Sequence, residues 1–178
     1  YSSGSNITFG TPVVFTSQAV LYHKIGIDPV QGKFVVMSTP QTQGSQSQSW
    51  MNRLIGHVGT ISGNSVSMGS TVDLGQTTTT NALNHSVFFD STSNKMIWAW
   101  THEGLGGNAA PSYQGYASVG TISGSSISFG SGVNLYSGAW ANSMSGVTDP
   151  ATGKVLIAMS AASGLGVYDY QARIIFGS

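Results

Sequence analysis

Three near-continuous apolar runs stand out in a chain otherwise rich in Ser, Thr, Gly and Asn: Phe34-Val35-Val36-Met37, Met96-Ile97-Trp98-Ala99-Trp100 and Val155-Leu156-Ile157-Ala158-Met159. Runs this short, with no helical periodicity and no helix caps around them, predict strands buried on both faces. Each run follows a lysine, and each lysine ends a repeated turn: Asp28-Pro29-Val30-Gln31-Gly32-Lys33, Asp90-Ser91-Thr92-Ser93-Asn94-Lys95 and Asp149-Pro150-Ala151-Thr152-Gly153-Lys154. The Asp carboxylate can accept backbone N–H groups, and Gly or Asn tolerates the left-handed conformation, so the spacing predicts a tight hairpin. Asp28, Asp90 and Asp149 are thus read as structural turn residues. Lys33, Lys95 and Lys154 flank the same turns for solubility or a backbone contact.

Two further markers recur in phase. Asn6-Ile7-Thr8-Phe9-Gly10, Ser65-Val66-Ser67-Met68-Gly69 and Ser126-Ile127-Ser128-Phe129-Gly130 align, each followed by a short apolar run expected to be a strand, at 12–15, 71–74 or 132–135. Gly59-Thr60-Ile61-Ser62-Gly63-Asn64 recurs as Gly120-Thr121-Ile122-Ser123-Gly124-Ser125, a second tight turn. Together the markers divide the chain into three copies of a four-stranded antiparallel meander, with first strands near 20–28, 82–90 and 141–149 and third strands near 51–61, 113–122 and 167–176. The expected fold is all-β, a β-propeller-like array of three blades, with a β-trefoil as the alternative. The domain reading is one repeat domain over 1–178, with units at about 18–69, 82–130 and 141–178 plus the strand at 6–10. The last unit lacks a fourth strand and strand 6–10 lacks a third. Strand 6–10 is therefore expected to complete the last blade in another copy, giving a six-bladed ring from a dimer, or to belong with flanking sequence of a longer chain. Parity puts both kinds of tight turn at one end of the blades and gathers the longer connections on the other face.

Composition removes several function classes. Six basic and six acidic side chains cancel and charged residues are only 7% of the chain, which leaves no basic stripe for tracking phosphates and makes nucleic acid an unexpected partner. Without cysteine there is no disulfide framework and no thiolate metal site. No apolar stretch approaches the length of a membrane-spanning helix, so membrane insertion is not expected. No signal peptide is visible and the chain opens at Tyr1, which reads as a segment or a processed product.

Chemistry is sparse. Three of the six acids are the repeated turn aspartates, leaving Asp73, Glu103 and Asp169 without an isolated pair for glycoside hydrolysis. His23 and His85 each stand five residues before a turn aspartate, where the third unit has Met144. Such equivalent positions could converge only near a propeller axis, and a structural hydrogen-bonding role is the simpler reading. His102-Glu103 lies in a Gly-rich loop without zinc-protease spacing, and no Gly-x-Ser-x-Gly elbow occurs. The reading is therefore not an enzyme: no catalytic residue, no metal and no cofactor. The candidate ligand-binding residues are Trp50, Trp100, His102, Tyr113 and Trp140, which flank connections on the inferred loop face. An exposed aromatic ring stacks on a sugar while neutral side chains bond its hydroxyls. The competing reading places these rings in the core between blades, and Trp98 belongs there.

The junction Val119-Gly120-Thr121-Ile122-Ser123-Gly124-Ser125-Ser126-Ile127-Ser128-Phe129-Gly130, with its counterpart at 58–69, resembles the repeat arrays of marine bacteriophage tail-fibre and virion-surface structural proteins. The resemblance covers almost the whole chain. It implies propeller-like blades on a virion surface or outside the cell, and carries over no catalytic residue. The function expected on this basis is a structural or adhesion module that recognises a cell-surface glycan through its loops. A purely structural filament or decoration subunit and a secreted oligomeric lectin are the alternatives. The expected partners are other copies of the chain, other virion proteins and a glycan.

Overall fold

The structure is a computed structural model that describes residues 2–3, 6–7, 9–40, 53–76, 84–104, 112–136, 140–162 and 171–177. They form strands and turns, and no helix occurs among them. In chain order the strands are β1 (Ser2–Ser3), β2 (Asn6–Ile7), β3 (Val20–Asp28), β4 (Lys33–Pro40), β5 (Arg53–Ser62), β6 (Ser65–Gln76), β7 (His85–Asp90), β8 (Lys95–Gly104), β9 (Ser112–Ser123), β10 (Ser126–Phe129), β11 (Val133–Tyr136), β12 (Trp140–Asp149), β13 (Lys154–Ala162) and β14 (Gln171–Gly177).

Three antiparallel meanders result. Unit 1 is β3-β4-β5-β6. Unit 2 is β7-β8-β9, with β10 and β11 both paired to the outer side of β9. Unit 3 is β12-β13-β14, without a fourth strand among the described residues. A single parallel bridge between Trp140 and Tyr113 links units 2 and 3. The apolar strands after Gly69 and Gly130 both pair with the third strand of their unit, one as the outer part of β6 and the other as β11. The described strands close neither a barrel, the feature a trefoil requires, nor a propeller ring. Among the described residues of the expected strand 6–10, Asn6–Ile7 is extended and pairs with β1, whereas Phe9 and Gly10 are in no strand. Residues 9–16 form no strand and lie along unit 1 instead.

The turns follow their residues. Asp28 Oδ1 accepts the N–H groups of Val30 and Gln31, both at 3.0 Å, and Oδ2 accepts the Gln31 side-chain amide at 2.7 Å. Asp90 accepts from Thr92 N–H at 3.0 Å and Asp149 from Ala151 N–H at 3.0 Å, and the Ser93 and Thr152 hydroxyls complete the two sets. Gly32, Asn94 and Gly153 take φ of 64°, 54° and 67°, the left-handed position at the end of each turn. Gly63 and Gly124 have positive φ at the first central position of two-residue hairpins, the type II′ arrangement. Ile61 N–H donates to Gly32 C=O, so both kinds of turn sit at one end of the sheet. The Lys33 ammonium donates to the Gly124 carbonyl of unit 2, whereas Lys95 reaches Thr121 within its own sheet.

Asp28 is buried and its bonds are partly shielded from water, whereas the Asp149 bonds are exposed. Asp28→Ala should therefore lower stability by about 1–2 kcal/mol, the loss of three partly shielded hydrogen bonds to a carboxylate. Urea unfolding should show a clearly smaller loss for Asp149→Ala. Equal losses would mean that burial does not set the value of the turn.

Side chains alternate strictly between the two sides of unit 2. Val87, Met96, Trp98 and Trp100 face unit 1 and meet Val35, Met37, Leu54 and Val58. Phe88, Ile97, Ala99 and Ala117 face unit 3 and meet Met144, Ile157 and Met159. Unit 2 is thus buried on both faces, as its continuous apolar run requires, because each sheet supplies half of two separate cores.

Candidate functional site

The first strands of the units come together: β3 packs on β7, and β7 on β12. Near the starts of these strands, away from the tight turns, Tyr22, His23, Lys24, Asn84, His85, Ser143 and Met144 line a cavity of about 310 Å³. The set is built from equivalent positions. Tyr22, Asn84 and Ser143 lie six residues before their turn aspartates, and His23, His85 and Met144 lie five before. The repeat therefore concentrates three versions of one strand segment on one site.

Local backbone geometry shapes it. Tyr22 and Ser143 are both non-glycine residues with φ of 53°. Strand pairing skips between Leu21 and Lys24 and between Asn142 and Ser145, which makes a bulge at the same place in units 1 and 3. A bulge redirects side chains and is costly for a residue with a Cβ, and such strain gathers at functional positions. In unit 2 the equivalent Asn84 stands just before β7, and its carbonyl accepts from Thr101 N–H at 3.0 Å.

His85 ties the site together. Its Nε2–H donates to the Tyr22 carbonyl across the unit boundary at 2.6 Å, which leaves Nδ1 unprotonated, buried and without a partner among the described residues. Burial, reinforced by the nearby Lys24 ammonium, pushes the His85 pKa down to about 4, so the ring is neutral at physiological pH. His23 Nδ1 lies 2.9 Å from Ser38 Oγ, and its ring meets the edge of Phe15. His57 is a core residue behind Phe15, bonded to Thr71 Oγ1 at 2.9 Å, and burial lowers its pKa. The cavity lining carries no carboxylate, and among the described residues no three His, Asp or Glu side chains group as metal ligands would. It offers hydroxyl, amide, imidazole and ammonium groups beside the half-exposed Tyr22 ring.

The aromatic residues singled out by sequence divide. Trp100 is buried between units 1 and 2, stacked on Trp98 at 3.8 Å and near Tyr116 at 5.7 Å, so its face is not open to a ligand. The sequence held the signal, since Trp100 is two residues from Trp98 in a strand and must share its side. Trp50 lies outside the described residues, as do the side chains of His102, Tyr113 and Trp140. Backbone register nevertheless brings three of these positions to one end of the sheets. Tyr113 pairs with Glu103 on one side and Trp140 on the other, and His102 pairs with Gln114. Tyr22, Asn84 and Ser143 were not anticipated, because nothing in Tyr22 or Ser143 announces a bulge.

No protein-family model matches the chain, and no curated protein shows significant similarity to it. Among the described residues no helix is long and apolar enough to cross a membrane.

Proposed function

We propose that the chain is a propeller-like recognition module of a virion or other extracellular surface, and that it binds a glycan at the end of the units opposite the tight turns. The observation that carries this reading is the cavity where the three repeats converge. A neutral polar pocket with one ammonium group and an aromatic residue beside it suits sugar hydroxyls. The positions of Tyr113 and Trp140 at the same end of the sheets would widen that surface. The face-to-face packing of unit 1 on unit 2 and of unit 2 on unit 3 supports the blade reading.

The test is a glycan array probed with the intact assembly, followed by calorimetry on any hit. Asn84→Ala should weaken the hit at least tenfold. Tyr22→Gly should weaken it similarly while leaving stability equal or higher, because glycine adopts φ near 53° without strain. Absence of any glycan hit, or full affinity in both variants, would overturn the reading. A structural filament subunit is the second reading, and it is favoured by the apolar outward faces of units 1 and 3.

A further inference from the structure

The contact between units 1 and 2 contains a part that the contact between units 2 and 3 lacks. At the first, Ile127 and Phe129 of the fourth strand of unit 2 fill the groove towards unit 1. Ile127 is buried beside Gly56, and Phe129 meets Trp98 edge-on at 5.5 Å and lies over Gly120, its cross-strand partner. At the second, the same place is a cavity of about 490 Å³, walled by Ala117, Val119 and Leu135 of unit 2 and by Val155, Ile157 and Ile175 of unit 3. Pairing within each unit sets the equivalences. Gly120 lies opposite Met96, Gly59 opposite Phe34 and Gly177 opposite Val155, so Gly177 is the position that a fourth-strand aromatic would cover.

The missing side chain exists elsewhere in the chain. Phe9 precedes Gly10 as Phe129 precedes Gly130, and Ile7 stands two residues before it as Ile127 does before Phe129. Phe9 is 91% exposed, an unfavourable place for a phenylalanine. The segment that follows it already lies on the outward side of unit 1, with Phe15 against His57 and Phe9, Val13 and Phe15 near Phe34 and Val36. Leu74 of the fourth strand of unit 1 packs against unit 2 in the corresponding way. Residues 9–15 thus follow unit 1 as the fourth strand of a preceding unit would. All of unit 1 and unit 2 stands between this segment and the cavity in the same chain.

We propose that the segment ending at Phe9 of one copy pairs as the fourth strand of unit 3 of a second copy, with Phe9 over Gly177 and its ring in the cavity. The proposal rests on the blade-like stacking described above and is independent of glycan binding. The faces it joins match in chemistry. The outward side of unit 3 exposes Val147, Ile174 at 68% and Phe176 at 75%, and that of unit 1 exposes Ile25 at 60% and Ile27 at 53%. Joined head to tail, two chains close a ring of six units, and closure leaves neither apolar face open.

The mass of the 178-residue chain in solution, by light scattering and native mass spectrometry, should be twice its 18.5 kDa. Phe9→Asp should give a folded monomer with unchanged circular dichroism, since Phe9 has little to lose in the single chain and a charge would be buried in the joint. Gly177→Val should do the same. An added Cβ at Gly177 meets nothing within 4 Å in one chain, whereas at Gly120 it would meet the Phe129 ring at 2.4 Å. Phe9→Cys combined with Gly177→Cys, in a chain with no other cysteine, should oxidise to a covalent dimer. A wild-type monomer at every concentration, or a dimer indifferent to both single variants, overturns the proposal. Covalent ladders longer than two chains overturn the six-unit ring.

Discussion

Replacing Trp98 with alanine is expected to lower the unfolding free energy by about 3–5 kcal/mol, the range for deleting a buried large aromatic. Trp98 is 4% exposed and lies in the middle of the contact between units 1 and 2. Its ring stacks on Trp100 and meets the edge of Phe129, while Val35, Met37 and Val58 of unit 1 belong to the same core. The cavity left behind would open between two sheets, each pinned by its own hydrogen-bond ladder, so collapse around it should be small. Trp98→Phe should cost much less, because it retains a ring and removes a buried indole N–H that has no partner among the described residues. Trp100→Ala should also be costly, but the double variant should lose less than the sum, since stacked rings couple by about 0.5–1.5 kcal/mol. Urea unfolding of the four proteins checks this. A loss below about 1 kcal/mol for Trp98→Ala would mean that units 1 and 2 do not share this core.

Acid should weaken the fold through His85. Its pKa is about 4 in the folded chain against an ordinary 6.5, so the unfolded chain binds the proton first as pH falls. The contribution of the neutral ring is complete above pH 6.5, declines between 6.5 and about 4, and is lost below that. A displacement of this size corresponds to about 3 kcal/mol. His57 acts in the same direction, through burial. The Asp149 carboxylate, held low by the Thr152 hydroxyl and Ala151 N–H, responds only at lower pH, as it protonates. His85→Met, which copies Met144 of unit 3, should remove most of the decline. Losing the bond to the Tyr22 carbonyl should cost the variant about 1 kcal/mol at pH 7. The two stability curves are therefore expected to cross between pH 7 and pH 5. Parallel curves, or a wild type indifferent to pH in this range, would exclude His85 as the cause.

Much of the fold was legible because its rules are local. A turn aspartate, a Gly or Asn in the left-handed position and a lysine opening the next strand act within six residues, and they recur three times as Asp28, Asp90 and Asp149. The apolar runs after Lys33, Lys95 and Lys154 predicted strands covered on both sides, and in unit 2 the two sides are the two halves of different cores. Period-two alternation also implied that Trp100 would share the face of Trp98, although its place beside a loop suggested a ligand site.

By itself, then, the sequence determined three antiparallel meanders and the turns that join their strands. Tertiary structure alone decided that Tyr22, Asn84 and Ser143 line one cavity, that His85 bonds across a unit boundary, and that an empty groove faces Gly177. The physical reason is range. Turn chemistry and strand alternation are settled by neighbours along the chain, whereas which faces meet, and which groove stays unfilled, depends on how whole sheets bury their apolar sides against one another.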